Sequence, residues 1–312
     1  MPEWLIERGI GETRYARIDG DEIVGARIGL DGVIAAGNIV SARLLNAGAR
    51  NAVARDGDGN EYLLPAGAPG VTEGAQLNIE VMREAIPGAE PWKRPLAKPT
   101  DDPPREASEV AGRPAQRGEF GEAGWDDLID EARTGIVRFA GGELRITPTA
   151  AMTLIDVDGA LPPEELALCG ATAAAKAIRR LDIGGSIGID LPTTSGKAAR
   201  QQAAAAIDAH LPQPFERTAV NGFGFVQIVR PRRRASLLEL AQDRAAFEAR
   251  ALLRRAAFEG CGARTLVAHP AVVAVFEAHR EWLDALARQF GGEVGLRADA
   301  SLAISGGYAE AR

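Results

Sequence analysis

The order of apolar and polar positions from residue 146 to residue 191 predicts a strand, a helix and a second strand. A short apolar run ends at Asp156, an alanine-rich stretch follows, and a second short apolar run ends at Asp190. The pair Pro162-Pro163 opens the alanine-rich stretch as a helix, where proline is tolerated because the first N–H groups have no intrahelical partner. The pair Gly184-Gly185 ends it. Two strands joined by a helix of this length are most easily parallel, with a right-handed crossover.

Parallel strands end at the same edge of a sheet, so we expect Asp156 and Asp190 to lie together where open α/β sheets place their ligands. Asp158 follows just past the first strand end. Converging carboxylates repel one another and stay ionised at low cost only with a cation between them. Oxygen ligands without a nearby His or Cys suit Mg²⁺ or Mn²⁺. The alternative interpretation is that Asp156 is an ordinary strand-end acid and Asp158 belongs to a turn.

Residues 1–91 alternate short apolar runs with turn sequences such as DGD and DGDGN. Evenly spaced short strands of this kind predict a small all-β barrel. The predicted strands are 12–18, 22–30, 39–45, 52–55, 62–64 and 76–83.

Residues 92–123 are rich in proline, glycine and charge, which predicts a flexible linker. The chain then becomes α/β over residues 124–259, and we predict a mixed, largely parallel sheet there. Residues 260–312 predict a small βαββ subdomain, with strands at 264–269, 293–297 and 301–304 around one helix at 271–290.

Composition narrows the classes of function. The chain of 312 residues has 36 basic and 43 acidic residues and a net charge of −7, so a nucleic-acid interface would need a local basic cluster. Arg230, Arg232, Arg233 and Arg234 are the densest such cluster, and we expect them to border the same cleft as the acids. No apolar run is long enough to span a membrane. Cys169 and Cys261 are far apart in the sequence, and we interpret them as free thiols in a reducing compartment. The N-terminal residues contain no apolar signal core. Both observations predict a cytoplasmic protein.

Two segments of this chain resemble the catalytic core of the ribonuclease E/G family of endoribonucleases. Residues 149–158 (TAAMTLIDVD) are similar to its first aspartate segment, and residues 180–190 (RLDIGGSIGID) to its second. The resemblance implies that Asp156 and Asp190 are the Mg²⁺ ligands and catalytic residues. Asp158 stands where the family has a supporting asparagine. Cleavage of phosphodiester bonds in single-stranded RNA, in RNA processing or decay, is the activity implied.

The same resemblance assigns further residues. The N-terminal barrel corresponds to an OB-fold RNA-binding domain, in which Tyr62 lies near a stacking aromatic position. Tyr62 is therefore either an RNA-binding residue or a structural residue at a hairpin edge. Lys197 and the arginines of residues 230–234 would hold phosphates.

The family also has a paired-cysteine zinc motif that joins two chains. This sequence has no CxxC motif, so we expect no zinc, and any oligomer would form in another way. Two alternatives to a nuclease stay open from the sequence: a non-catalytic RNA-binding relative and an interaction scaffold.

Overall fold

The first part of the described chain supplies three antiparallel strands of a four-stranded sheet. The computed structural model describes residues 3–86, 93–107, 110–258 and 261–311. The first strands are β1 (Glu3–Arg8), β2 (Glu12–Asp19) and β3 (Glu22–Leu30). Their alternate side chains, among them Leu5, Ala16 and Ala26, are buried in the largest hydrophobic core of the molecule.

A closed five-stranded barrel follows. It consists of β4 (Ile39–Asn46), β5 (Ala52–Asp56), β6 (Glu61–Leu64), β7 (Gln76–Arg83) and β8 (Leu96–Thr100), in the order β4-β5-β6-β8-β7. Leu44, Leu64 and Ile79 are fully buried in a core that belongs to the barrel alone. After the barrel, β9 (Arg113–Pro114) pairs in parallel with β1. The barrel is therefore an insertion between β3 and β9.

The predicted barrel differs from the observed one at both ends. The runs at 12–18 and 22–30 are strands, but they form the separate first sheet, because their apolar face packs on the α/β core. The predicted linker 92–123 supplies β8, which closes the barrel against β6 and β7. The predicted boundaries at residues 91/92 and 259/260 lie outside the described residues, and the division into domains stays a prediction.

The second sheet has six strands. It consists of β10 (Ile136–Phe139), β11 (Gly142–Pro148), β12 (Thr153–Gly159), β13 (Gly185–Asp190), β14 (Glu216–Arg217) and β15 (Phe225–Arg230), in the order β10-β11-β12-β13-β15-β14. The predicted strand–helix–strand unit is confirmed, because β12 and β13 are parallel. The prediction of a largely parallel sheet is wrong: every other neighbouring pair is antiparallel. Short loops such as the turn at Gly141 can join only antiparallel strands.

From residue 119 to residue 257 the described chain forms six helices, and the second, third and fifth of them pack on strands of this sheet. They are α1 (Glu119–Glu122), α2 (Trp125–Thr134), α3 (Pro163–Arg180), α4 (Lys197–His210), α5 (Leu237–Leu240) and α6 (Arg244–Ala257). α3 contacts β3 on one side and β11 and β12 on the other. Its alanines and Gly170 permit this close approach, since a Cβ at Gly170 would lie 2.3 Å from Val157 Cγ1. None of the described helices is long and apolar enough to cross a membrane.

The last part of the chain forms a small mixed sheet with two helices. Its elements are β16 (Arg264–Ala268), α7 (Pro270–Ala278), α8 (Arg280–Phe290), β17 (Val294–Ala298) and β18 (Tyr308–Ala311). The predicted single helix is interrupted at His279, whose φ of −123° and ψ of 60° are not helical. The predicted last strand at 301–304 is wrong, because Asp299 accepts hydrogen bonds from Ser301 N and Oγ in a turn, and the strand comes later.

Candidate functional site

Asp156 and Asp190 are direct neighbours across two parallel strands. They are the last register pair of the β12–β13 ladder, and both are exposed. Asp190 is the last residue of β13, whereas β12 does not end at Asp156 as predicted but continues to Gly159. Adjacent strands lie about 4.8 Å apart, so the two carboxylates project side by side from the sheet. The predicted juxtaposition is present, while the role of the pair as metal ligands stays a prediction.

The alternation of β12 places these acids on the open face of the sheet. Ile155 and Val157 are buried, whereas Leu154, Asp156 and Asp158 are exposed. Asp158 lies two residues along the strand from Asp156, about 7 Å further on. Asp158 Oδ1 accepts a hydrogen bond from Gly159 N at 2.8 Å. Asp158 therefore shares the face with the aspartate pair but is not part of it.

The pair has the donor set for a hydrated magnesium ion. In the described part of the chain, no group of three or more His, Cys, Asp or Glu side chains is arranged to hold a metal. Mg²⁺ often keeps several waters and is held by one or two carboxylates, so Asp156 and Asp190 fit Mg²⁺ or Mn²⁺ without a third protein ligand.

Arg145 is a residue of this face that sequence reasoning missed. It is the register partner of Asp156 on β11, and its Nη2 lies 2.8 Å from Glu143 Oε1. Glu143 is in turn the partner of Asp158. Arg145 is exposed, so it places a cation beside the aspartate pair. The sequence showed that polar Arg145 alternates with apolar Leu144. It did not show that Arg145 lies opposite Asp156, because cross-strand register depends on how the hairpin pairs.

Two phenylalanines border the same edge, and neither was assigned a role from the sequence. Phe225 is the register partner of Asp190, and its ring lies over Gly188. A Cβ at Gly188 would come within 2.6 Å of Phe225 Cζ. Phe223 is 81% exposed, which is the largest value among the exposed large hydrophobic residues of the described chain.

The loop that carries Phe223 is held firmly. Asn221 Oδ1 accepts hydrogen bonds from the backbone N–H groups of Phe223 and Phe225, at 2.9 and 3.0 Å. Thr193 Oγ1 donates to Phe223 O at 3.1 Å. Gly224 has φ +94°, and a Cβ there would lie 2.0 Å from Leu191 O. The backbone that carries the exposed ring is therefore tied to the segment that directly follows Asp190.

Lys197 follows Asp190 closely in the chain, and its role in holding phosphates stays a prediction. It is the first residue of α4, which begins after the loop that leaves β13 at Asp190. Lys197 is exposed, and no side chain caps this helix N-terminus. Its ammonium group and the unpaired N–H groups of the first turn make this end of α4 electropositive.

The predicted position of the arginine cluster beside the acids is wrong. β15 runs antiparallel to β13, so Arg230 pairs with Gly185 while Phe225 pairs with Asp190. Five residues of strand separate these two ends, about 16 Å. The arginine cluster therefore lies at the opposite end of the strands from the aspartate pair. It consists of Arg230, Arg232, Arg233 and Arg234.

Most of these arginines have protein partners. Arg230 Nη1 donates to Ile183 O at 2.8 Å, and Arg232 forms an ion pair with Glu239. Arg234 lies 3.3 Å from Asp182 and 3.5 Å from Glu84. Arg233 is exposed and has no hydrogen-bond or ion-pair partner for its side chain among the described residues.

The structure excludes one of the two interpretations of Tyr62, namely that it is an exposed residue on which RNA bases stack. Its side chain is fully buried in the barrel, and its hydroxyl donates to Asp56 Oδ2 at 2.8 Å. Burial, and then the hydrogen bond to Asp56, raise the pKa of Tyr62. Tyr62 is a structural residue that holds the turn between β5 and β6.

Comparisons with known proteins do not identify a family. No protein-family model matches the chain, and no curated protein matches it either.

Proposed function

We propose that the protein is an endoribonuclease that cleaves phosphodiester bonds of single-stranded RNA with Mg²⁺ or Mn²⁺. The observation that carries this proposal is the register pairing of Asp156 and Asp190 on the open face of the sheet. The resemblance of residues 149–158 and 180–190 to the ribonuclease E/G family supports it, because each segment contains one aspartate of this pair.

The aspartate pair would hold the ion, which when bound supplies an activated water and stabilises charge on phosphate oxygens. Arg145, the register partner of Asp156, and Lys197, which begins the helix after Asp190, would bind the phosphates that flank the scissile bond. Asp158, fixed by Gly159 N–H, would accept a hydrogen bond from a water on the same face.

The aromatic residues favour a single strand over a duplex. Bases of a single strand can stack on an exposed ring, whereas those of a duplex are already stacked on one another. Phe223 offers such a ring on a fixed loop beside Asp190. The free thiols of Cys169 and Cys261 fit a reducing compartment, so we place this activity in the cytoplasm.

A cleavage assay with the purified protein tests the proposal. A single-stranded oligoribonucleotide, its duplex and the matching DNA strand are incubated with Mg²⁺, with Mn²⁺ or with a chelator. We expect internal cleavage of the single-stranded RNA, and only when the metal is present. Equal cleavage in the chelator would contradict a metal-dependent nuclease.

The second candidate function is binding of RNA without cleavage. Asp158 adds a negative charge to the exposed face that carries the pair, where the resembled family has an asparagine, and this departure favours it. Retained oligonucleotide binding with no product at any metal concentration would support this candidate.

The third candidate is an interaction scaffold. The exposed apolar residues Phe223, Leu154 and Val229 are favourable to it, because an open apolar face can also bind a protein. Absence of both binding and cleavage would favour this candidate.

A further inference from the structure

The arginine-rich edge of the sheet contains a pocket that is separate from the aspartate pair. The cavity has a volume of about 240 Å³. Its charged lining residues are Arg27, Arg230, Arg232, Arg233, Arg234 and Asp182.

The pocket is assembled from distant parts of the chain. Arg27 comes from β3 of the first sheet, and its guanidinium lies 4.8 Å from the ring centroid of Trp4. Arg179 Nε donates to Val24 O at 2.9 Å and so ties β3 to the end of α3. Asp182 follows α3 with φ +53°, a left-handed conformation that turns the chain towards β13. The fold therefore brings Arg27 against the segment that follows β15.

Positive charge in the pocket exceeds negative charge. Five arginines line it, and among the described residues Asp182 is the only lining carboxylate. Counting also Glu84 and Glu239, which pair with Arg234 and Arg232, leaves two positive charges in excess. In a chain of net charge −7, this concentration of cations stands out as a local electropositive site.

Two guanidinium groups in the pocket have donors that the described part of the protein does not satisfy. Arg230 Nε and Arg232 Nε are buried and have no hydrogen-bond partner there. Buried polar groups in native proteins nearly always have a partner, so each unsatisfied donor needs an explanation. Burial, and also the charges of Arg234, Arg230 and Arg233, lower the pKa of Arg27, although Asp182 opposes this shift. Guanidinium groups do not lose their charge in proteins, so a bound anion would relieve the repulsion among them.

We propose that this pocket binds a phosphate group. Guanidinium groups recognise phosphate through forked, charge-assisted hydrogen bonds, and a doubly charged anion matches the excess of two positive charges. Arg230 of the pocket and the register partner of Asp190 are about 16 Å apart along β15, so repulsion of the anion by the aspartate pair is weak. The proposal does not depend on the nuclease activity.

Thermal unfolding in the absence of divalent metal tests this proposal. The full-length protein is titrated with inorganic phosphate, with sodium chloride adjusted to keep the ionic strength constant. A ligand that binds only the folded state raises the unfolding midpoint. We expect a rise of at least about 2 °C at saturating phosphate for the wild type.

Single substitutions test whether the phosphate-induced rise of the unfolding midpoint comes from this pocket. Arg233→Gln removes an exposed cation that has no partner among the described residues, so its fold is preserved, and Arg27→Gln removes the cation contributed by β3. The phosphate-induced rise should disappear in both variants, whatever their midpoints without phosphate. Arg297→Gln, at an exposed arginine on β17, should keep the wild-type rise. Equal rises in all three variants, or no rise in the wild type, would overturn the proposal.

A second titration identifies the source of the phosphate. A single-stranded oligoribonucleotide with only internal phosphodiesters replaces inorganic phosphate. A rise that depends on Arg233 and Arg27 with both ligands assigns the pocket to phosphate in general. A rise with inorganic phosphate alone assigns it to a free phosphate.

Discussion

Gly188 lies beneath the ring of Phe225, two residues before Asp190 on β13. A Cβ at Gly188 would come within 2.6 Å of Phe225 Cζ and 3.1 Å of Leu154 Cδ2. The glycine therefore allows an aromatic ring to lie flat on the open face of the sheet, next to the aspartate pair. The ring and the carboxylates share a surface, and under the proposed function a base and a phosphate of one nucleotide strand would both be bound there.

Gly188→Ala should displace Phe225 and distort this surface. Overpacking of this kind costs about 1–3 kcal/mol of the free energy of unfolding. RNA cleavage should fall as well, because the displaced ring borders Asp190. Gly222→Ala is the matched control, since a Cβ at Gly222 meets nothing within 4 Å. Denaturant unfolding of both variants measures the difference, and equal stabilities would contradict the described packing.

Phe223→Ala should weaken binding of single-stranded RNA, because stacking on an aromatic ring contributes about 1–3 kcal/mol per base. Binding is measured without metal, so that no cleavage occurs. Val229→Ala, at an exposed residue near the other end of β15, should leave the affinity unchanged. Phe223→Trp should restore binding, and its fluorescence should change on addition of the oligonucleotide. An unchanged affinity in Phe223→Ala would exclude a stacking role.

Lys197→Gln and Arg145→Gln should each flatten the salt dependence of RNA binding. When a cation that neutralises one phosphate is removed, the slope of log affinity against log salt falls by about 0.7 for a single strand. The slope of the double variant should therefore be smaller by about 1.4. Arg297→Gln, which lies on the small C-terminal sheet, serves as the control. Parallel lines for wild type and double variant would mean that neither cation binds phosphate.

Tyr62→Phe should lower the free energy of unfolding by about 1 kcal/mol at neutral pH, because the variant cannot form the hydrogen bond to Asp56. RNA affinity should not change, since the side chain is buried. The folded pKa of Tyr62 is raised above the unfolded value of 10.0, so the folded state keeps a proton that the unfolded chain releases. Wild-type stability should therefore fall towards that of the variant as the pH rises above 10.

Strands and helices were predicted well from the sequence where the spacing of apolar residues and the turn residues on either side indicated the same element. The unit β12–α3–β13 and the strands at 39–45 and 76–83 were found because alternation or helical spacing was bounded by glycine, proline or aspartate. The core that each strand faces was not predictable, because the residue pattern of a strand does not say which core it enters, and β2 and β4 pack in different cores.

The residues that were missed at the site, or wrongly placed there, depend on the direction in which neighbouring strands of the sheet run. Asp156 and Asp190 could be paired in advance because a helical crossover makes strands parallel. Arg230 was placed with them because the direction of β15 was not known. Its antiparallel pairing with β13 moves the arginines to the far edge and brings Phe225 and Phe223 to the acids instead.

The most direct test of the account is Mg²⁺-dependent cleavage of single-stranded RNA by Asp156→Asn and Asp190→Asn, with Asp284→Asn on α8 as the matched control. We predict that both site variants lose cleavage and that the control cleaves at the wild-type rate. Thermal stability without metal should stay level or rise in the site variants, because removing one carboxylate relieves repulsion within the pair. Cleavage by either site variant at the wild-type rate would contradict the central claim that Asp156 and Asp190 form the active site.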